Sequence, residues 1–191
     1  ESNAKKIYAD VMKYFTIITA TIFLGVMIYY DLVQQFIGRE FHDSRGLAVV
    51  PILLFANLFL GIYYNLAVWF KLTEKTRFGA YLALFGAVIT LALNFALIPI
   101  LGFEGSAWAT LICYFSMTII SYFLGKKHYP IPYDLKRIGL YIGTTLLLFA
   151  LSVYADLGML LNTLYLIIFI GVAYILERPK KRVNSTPKLF D

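Results

Sequence analysis

Few residues of this sequence have the types and spacing that covalent or acid–base chemistry requires. The two histidines, His42 and His128, lie in separate polar connections, and Cys113 lies in an apolar segment without a charged residue to activate its thiol. We find no nucleophile beside a base, no paired carboxylates, no metal-ligand cluster and no glycine-rich phosphate loop in the sequence. The sequence therefore predicts a protein that is not an enzyme and that uses no catalytic residue, metal or cofactor.

Polar residues inside apolar segments are better candidates for function. Asn57, Tyr64 and Asn65 share one face of a predicted helix, and Asn94 lies in the next apolar segment. Such side chains are costly in lipid, so they usually face another helix or a water-filled path. Two interpretations stay open: the asparagine amides hydrogen-bond between helices, or these residues line a path for a polar substrate. We expect the face that carries Asn57, Tyr64 and Asn65 to point into the helix bundle.

Asp31 directly follows the first apolar segment. If the helix ends there, the carboxylate is interfacial, whereas a helix that continues to Ile37 places it near the outer membrane surface. The alternative is that Asp31 couples substrate movement to a proton or another cation.

Two further patterns predict packing and anchoring. Gly79, Ala83, Gly86, Thr90 and Asn94 form a stripe of small and weakly polar residues that allows helices to approach closely. Trp69 lies near the end of an apolar segment, where we expect it to anchor the helix at the membrane surface.

Six uncharged apolar blocks must position these residues. The chain has 191 residues, of which 60% are hydrophobic and 15% are charged. A helix needs roughly 20 residues to cross about 30 Å of hydrocarbon, and the blocks lack the alternating pattern of a barrel wall. They predict an all-α integral membrane protein with six transmembrane helices. The predicted spans are residues 14–30, 47–70, 78–101, 105–125, 138–155 and 157–176.

The basic residues are strongly asymmetric about these spans. Of the 17 lysines and arginines, only Arg39 and Arg45 fall on one side of the predicted membrane. The others are Lys5, Lys6, Lys13, Lys71, Lys75, Arg77, Lys126, Lys127, Lys136, Arg137, Arg178, Lys180, Lys181, Arg182 and Lys188. The positive-inside rule therefore predicts that both ends of the chain are cytoplasmic. The net charge of +6 needs no nucleic-acid partner, because basic loops set topology and attract anionic membrane lipids.

Pro130 and Pro132 disfavour helix and divide the predicted spans into two groups. We expect four helices in residues 1–129, a cytoplasmic linker in 130–137, a final helix pair in 138–176 and a disordered basic tail in 177–191. The chain begins without an initiator methionine, so we expect it to be part of a longer protein.

One segment resembles a known family. The pattern consists of Asn94, Leu97, Ile98, Pro99, Gly102, Gly105, Ala107, Ala109 and Thr110. Together with residues 63–76, it resembles the C-terminal half of the polysaccharide flippases. These are the O-antigen and exopolysaccharide translocases of the multidrug, oligosaccharidyl-lipid and polysaccharide exporter superfamily.

The resemblance implies about fourteen helices in two pseudo-symmetric lobes, with the spans of this chain forming most of the C-terminal lobe. It implies that the N-terminal lobe of the same chain is a partner. The implied activity is to flip an undecaprenyl-pyrophosphate-linked oligosaccharide across the bacterial cytoplasmic (inner) membrane by alternating access, for surface polysaccharides such as the O-antigen of lipopolysaccharide. Lys71, Lys75 and Arg77 either attract the pyrophosphate or only fix the topology. The alternatives are a drug or lipid II exporter of the same superfamily and a membrane enzyme of envelope glycan assembly.

Overall fold

The computed structural model describes residues 2–36, 44–155 and 158–178 and folds them into eight helices. In chain order they are α1 (Ser2–Ile28), α2 (Tyr30–Phe36), α3 (Ser44–Leu66), α4 (Val68–Leu72), α5 (Arg77–Leu101), α6 (Phe103–His128), α7 (Leu135–Ala155) and α8 (Gly158–Glu177). Helices α3 and α4 form one span, because only Ala67 separates them and its N–H still donates to the Tyr63 carbonyl at 2.8 Å. The all-α prediction is confirmed for the described residues.

Five of the six predicted spans are helices long and apolar enough to cross a membrane. They are Ser2–Ile28, Ala48–Leu72, Arg77–Leu101, Phe103–His128 and Leu135–Tyr154. The sixth predicted span forms α8, but its apolar stretch of described side chains covers only Asn162–Glu177 and is shorter than the others. By helix length and hydropathy the chain is a multi-pass helical membrane protein.

The first span differs most from its predicted bounds. Helix α1 begins at Ser2, twelve residues before the predicted start at Tyr14, because charged residues are compatible with a helix that extends beyond the hydrocarbon. Lys13 and Asp10 form an ion pair at 3.2 Å within this extension. At the other end α2 follows α1 after Tyr29, while Ile37, Arg39 and His42 lie outside the described residues, as do residues 179–191 of the predicted tail.

The helices pack side by side in an order that differs from their order in the chain. Helix α5 packs on α6, α6 on α3, α3 on α1, and α1 on both α7 and α8. Three buried clusters stabilise this row. One joins α1, α7 and α8, another joins α1, α3 and α7, and the third joins α3, α4, α5 and α6. Helix α5 stands at the end of the row, so its outer face exposes large apolar side chains such as Phe95, which is 82% exposed.

The residues that carry the family resemblance build a tight hairpin between α5 and α6. Gly102 has φ +63° and ψ −139°, a conformation that only glycine adopts without strain. A Cβ added to Gly105 would lie 2.5 Å from the Leu97 carbonyl oxygen, so glycine is needed for this close approach. Ala107 and Ala109, which follow on α6, are also buried. The motif therefore has a structural reason that is independent of any substrate.

Segments with many basic residues meet where several helices begin or end on the same side of the bundle, which we call the basic end. It contains the start of α1, the α4–α5 connection, the α6–α7 connection and the end of α8. The ammonium of Lys5 lies 4.4 Å from the centre of the Tyr129 ring, and Lys13 pairs with Glu177 at 2.7 Å. The structure thus brings together segments that the charge pattern assigns to one side of the membrane.

Candidate functional site

A groove of about 400 Å³ lies between α3, α5 and α6. We call it the tyrosine groove, because Tyr63, Tyr64 and Tyr114 line it together with Thr90 and small or apolar residues. None of the described residues that line it is charged. The groove offers hydroxyl groups and aromatic faces, which suit an uncharged polar ligand such as a sugar better than an ion.

One glycine and two interhelical hydrogen bonds set the spacing of the helices around the tyrosine groove. A Cβ added to Gly86 of α5 would lie 2.6 Å from the Met117 sulfur of α6, so glycine permits this helix contact. The Cys113 thiol donates to the Gly86 carbonyl with a sulfur–oxygen distance of 3.3 Å. On the other side, the Thr118 hydroxyl of α6 donates to the Phe59 carbonyl of α3 at 3.0 Å. The predicted packing role of the small-residue stripe is confirmed at Gly86.

The polar residues predicted on α3 do not share one environment. The side-chain amides of Asn57 and Asn65 donate to the carbonyls of Leu53 and Gly61, each within the same helix. The hydrogen bonds of these amide groups therefore lie within α3, and they are not the interhelical bonds that one interpretation predicted. Tyr64 is 63% exposed and Asn57 is also exposed, so the expectation that this face points into the bundle is wrong for both in the described chain. Of the polar residues in this face, only Tyr64 lines the tyrosine groove.

Asn94 lies apart from the tyrosine groove, beside Phe95 and Pro99 in a shallow cavity on α5. Its side-chain oxygen is buried and has no hydrogen-bond partner among the described residues. The predicted substrate-path residues are thus divided between separate surfaces.

The predicted charged candidates are all exposed. Lys71 lies in the last turn of α4, Lys75 in the α4–α5 connection and Arg77 at the start of α5, so the three cations cluster near one turn. Asp31 lies in the first turn of α2 and is also exposed. None of these residues takes part in an ion pair of the described chain, so their charges face solvent or headgroups.

A group of buried polar contacts at the basic end was not predicted. Glu177 accepts from Lys13 at 2.7 Å, from the Arg137 guanidinium at 2.8 Å and from the Tyr141 hydroxyl at 2.8 Å. We call these four residues the carboxylate cluster. The Glu177 and Lys13 side chains are only 11% and 13% exposed, whereas that of Arg137 is 42% exposed. The cluster links α1, α7 and α8 through one shared carboxylate.

Sequence reasoning assigned Glu177 to the disordered tail and Lys13 and Arg137 to the topology signal. Each residue stands at the edge of an apolar block, where a charge usually faces solvent, so the sequence gives no direct sign of their contact. One usable signal was present: Glu177 is an acidic residue at the end of a span, on a side of the membrane that is otherwise strongly basic.

Trp69 is buried and does not act as the predicted interfacial anchor. It is 1% exposed, and its ring stacks on His128 with a centroid distance of 5.1 Å and an interplanar angle of 10°. The turn at Ala67 precedes α4, and α4 packs against α6. A tryptophan near the end of a span therefore became part of the helix contact.

Comparison with known proteins gives no family assignment. No protein-family model matches the chain, and no curated protein and no solved structure is significantly similar to it.

Proposed function

We propose that this chain is part of a transporter that moves a lipid-linked oligosaccharide across the bacterial cytoplasmic membrane by alternating access. The observation that carries the proposal is the uncharged tyrosine groove, which lies beside the hairpin whose residues resemble the polysaccharide flippases. The proposal includes an N-terminal lobe of the same chain that completes the path. It assigns the chain no catalytic role and no nucleic-acid partner.

The groove and the basic end support a division of the ligand into three parts. Sugar hydroxyls and ring faces match the hydroxyls and rings of Tyr63, Tyr64 and Tyr114. Lys71 follows Tyr64 by about 10 Å along the α3–α4 span, at 1.5 Å per residue, so a charged pyrophosphate has cations within reach of the same groove. The lipid tail needs only an apolar surface, which the outer face of α5 supplies.

Complementation tests the proposal in a bacterial strain that lacks its own flippase for a lipid-linked oligosaccharide. The full-length protein is expected to restore surface polysaccharide, and Tyr64→Ala to reduce it strongly at equal membrane expression. Tyr81→Ala is the matched control, because Tyr81 is 64% exposed but does not line the groove. Failure of the unmodified protein to restore polysaccharide, despite correct insertion, would contradict the proposal.

A triple substitution of Lys71, Lys75 and Arg77 by glutamine separates pyrophosphate binding from topology. Loss of flipping with unchanged orientation supports a role in binding the pyrophosphate. An inverted protein shows that the three cations only set the topology.

The same strain and the purified protein also test the alternatives. Increased resistance to toxic compounds favours a drug exporter, and rescue of a strain depleted of its lipid II flippase favours lipid II transport. Turnover of a lipid-linked sugar by the purified protein favours a membrane enzyme.

A further inference from the structure

Another cavity, of about 300 Å³, lies at the basic end beneath the connection between α6 and α7. We call it the linker cavity. The end of α3, α4, the last turns of α6 and residues 129–133 form its walls. It is separate from the tyrosine groove, with which it shares no lining residue.

Two buried hydrogen-bond donors at the linker cavity have no partner among the described residues. One is the indole N–H of Trp69, whose side chain is 1% exposed, and the other is the Tyr133 hydroxyl. An indole N–H can only donate, and burial raises the pKa of Tyr133 to about 12, so its hydroxyl keeps its proton at neutral pH. Because buried donors without acceptors are unfavourable, the pair indicates a missing acceptor.

Two backbone hydrogen bonds position Tyr133, and a close approach to Gly125 positions Trp69. Pro130 and Pro132 have no N–H, the Tyr133 N–H donates to the Ile131 carbonyl at 2.9 Å, and the Leu135 N–H donates to the Tyr133 carbonyl at 3.0 Å. On the α6 side, a Cβ added to Gly125 would lie 2.9 Å from the Trp69 ring. These two backbone bonds fix the turn, and the Trp69 N–H and the Tyr133 hydroxyl remain without an acceptor among the described residues.

The charges around the linker cavity favour an anion. Lys126 lines it. None of the described lining residues is acidic. The nearby carboxylate of Asp134 is paired with Arg137 at 3.2 Å. Two unpartnered donors beside a lysine, with no acidic residue among the described lining residues, are an arrangement that binds phosphate oxygens.

We propose that the linker cavity binds a phosphoryl group through the Trp69 N–H, the Tyr133 hydroxyl and the Lys126 ammonium. Its volume is at the lower end of the range of about 300–1,000 Å³ for ligand pockets and is far larger than the roughly 30 Å³ of one water. At the membrane surface the phosphoryl group belongs either to an anionic lipid headgroup or to free phosphate or pyrophosphate. The proposal is independent of the transport proposal, because it concerns a separate cavity.

Two binding measurements on the purified full-length protein test this proposal and distinguish the sources. Native mass spectrometry compares the retention of phosphatidylglycerol with that of phosphatidylcholine of the same acyl chains. Equilibrium dialysis with radiolabelled inorganic phosphate and pyrophosphate measures binding of the free anions. Binding of phosphatidylglycerol alone identifies the headgroup as the source, and binding of a free anion identifies the soluble source.

Matched variants assign the bound phosphoryl group to the linker cavity. Tyr133→Phe and Lys126→Gln are each expected to weaken binding about tenfold or more, as the loss of a hydrogen bond to a charged group does. Tyr129→Phe and Lys127→Gln are the controls. The Tyr129 hydroxyl is not an unpartnered buried donor, and Lys127 does not line the cavity. Unchanged melting temperatures confirm that the variants fold. Equal binding by the test and control variants, or no binding of any probe, would overturn the proposal.

Discussion

Replacing Glu177 with glutamine keeps the shape of the side chain but removes the charge that α1, α7 and α8 share. In the protein, one carboxylate oxygen accepts from Lys13 at 2.7 Å and the other accepts from Arg137 and Tyr141. Glutamine keeps one acceptor oxygen for Tyr141 or Arg137 but loses the ionic contact with Lys13. We therefore expect Glu177→Gln to destabilise the contact of the first helix with the last two.

The magnitude follows from the burial of the ion pair between Lys13 and Glu177. Both side chains are nearly nine-tenths covered, so the contact belongs with charge-assisted hydrogen bonds, which contribute roughly 1.5–3 kcal/mol. Lys13 retains its second partner, Asp10, at 3.2 Å, which limits the penalty. We expect a loss of about 2 kcal/mol in the free energy of unfolding, which corresponds to about 4–8 °C in melting temperature for a chain of this size.

Asp10→Asn is the matched control, because it removes an equal charge from the same lysine. The Asp10 side chain is 57% exposed, and exposed ion pairs contribute only about 0–1 kcal/mol. Thermal unfolding in detergent, followed by tryptophan fluorescence, measures both variants. Lys13→Met combined with Glu177→Gln is expected to cost less than the sum of the two single changes, because neither buried charge of the pair is left without the other.

The ranking of the two variants decides whether the reasoning is right. If Asp10→Asn destabilises the protein as much as Glu177→Gln, burial does not control the strength of these ion pairs. If Glu177→Gln has no effect, the carboxylate cluster does not link the three helices.

Three further predictions concern stability and use the same unfolding assay. Gly105→Ala is expected to lower the free energy of unfolding by about 1–3 kcal/mol, because the added methyl group overpacks against the Leu97 carbonyl. Gly139→Ala, whose added methyl group meets open space, is expected to be neutral or stabilising. Equal effects of the two substitutions would contradict the close helix contact. Gly102→Ala is expected to cost about 1–2 kcal/mol, because alanine is strained at φ +63°; an unchanged melting temperature would argue against that turn. Burial raises the pKa of Tyr133 to about 12 in the folded protein, whereas the tyrosine of the unfolded chain ionises near pH 10, so the protein loses stability as the pH rises through this window. Tyr133→Phe is expected to remove that part of the alkaline loss. Identical curves of stability against alkaline pH for the variant and the unmodified protein would contradict this prediction.

The helices themselves were largely predictable from the apolar blocks. Helix α5 differs from its predicted span by a single residue, since charge and glycine mark both ends. Helix α1 was predicted too short, because the criterion stopped at the first charge while a helix can continue beyond the membrane through residues such as Lys13 and Asp10. The membrane sets where charges are costly, but it does not end a helix.

The candidate sites were much less predictable, because helical periodicity defines a face without stating what that face meets. Tyr64 was selected for its spacing with Asn57 and Asn65, yet the groove that contains it also needs Thr90 and Tyr114 from other helices. The order in which helices pack is a tertiary property that the apolar pattern of the sequence does not reveal. The same reason explains why the contacts of the carboxylate cluster were missed.

Labelling of single cysteines tests most directly the central claim, that the chain crosses a membrane several times with its basic end in the cytoplasm. In a Cys113→Ser background, cysteines are placed at Glu104, in the first turn of α6, and at Lys75 and Lys127, at the basic end. A membrane-impermeant maleimide is expected to label Glu104→Cys in intact cells and to label Lys75→Cys and Lys127→Cys only after permeabilisation. Labelling of Lys127→Cys in intact cells, or recovery of the protein in the soluble fraction, would contradict the account.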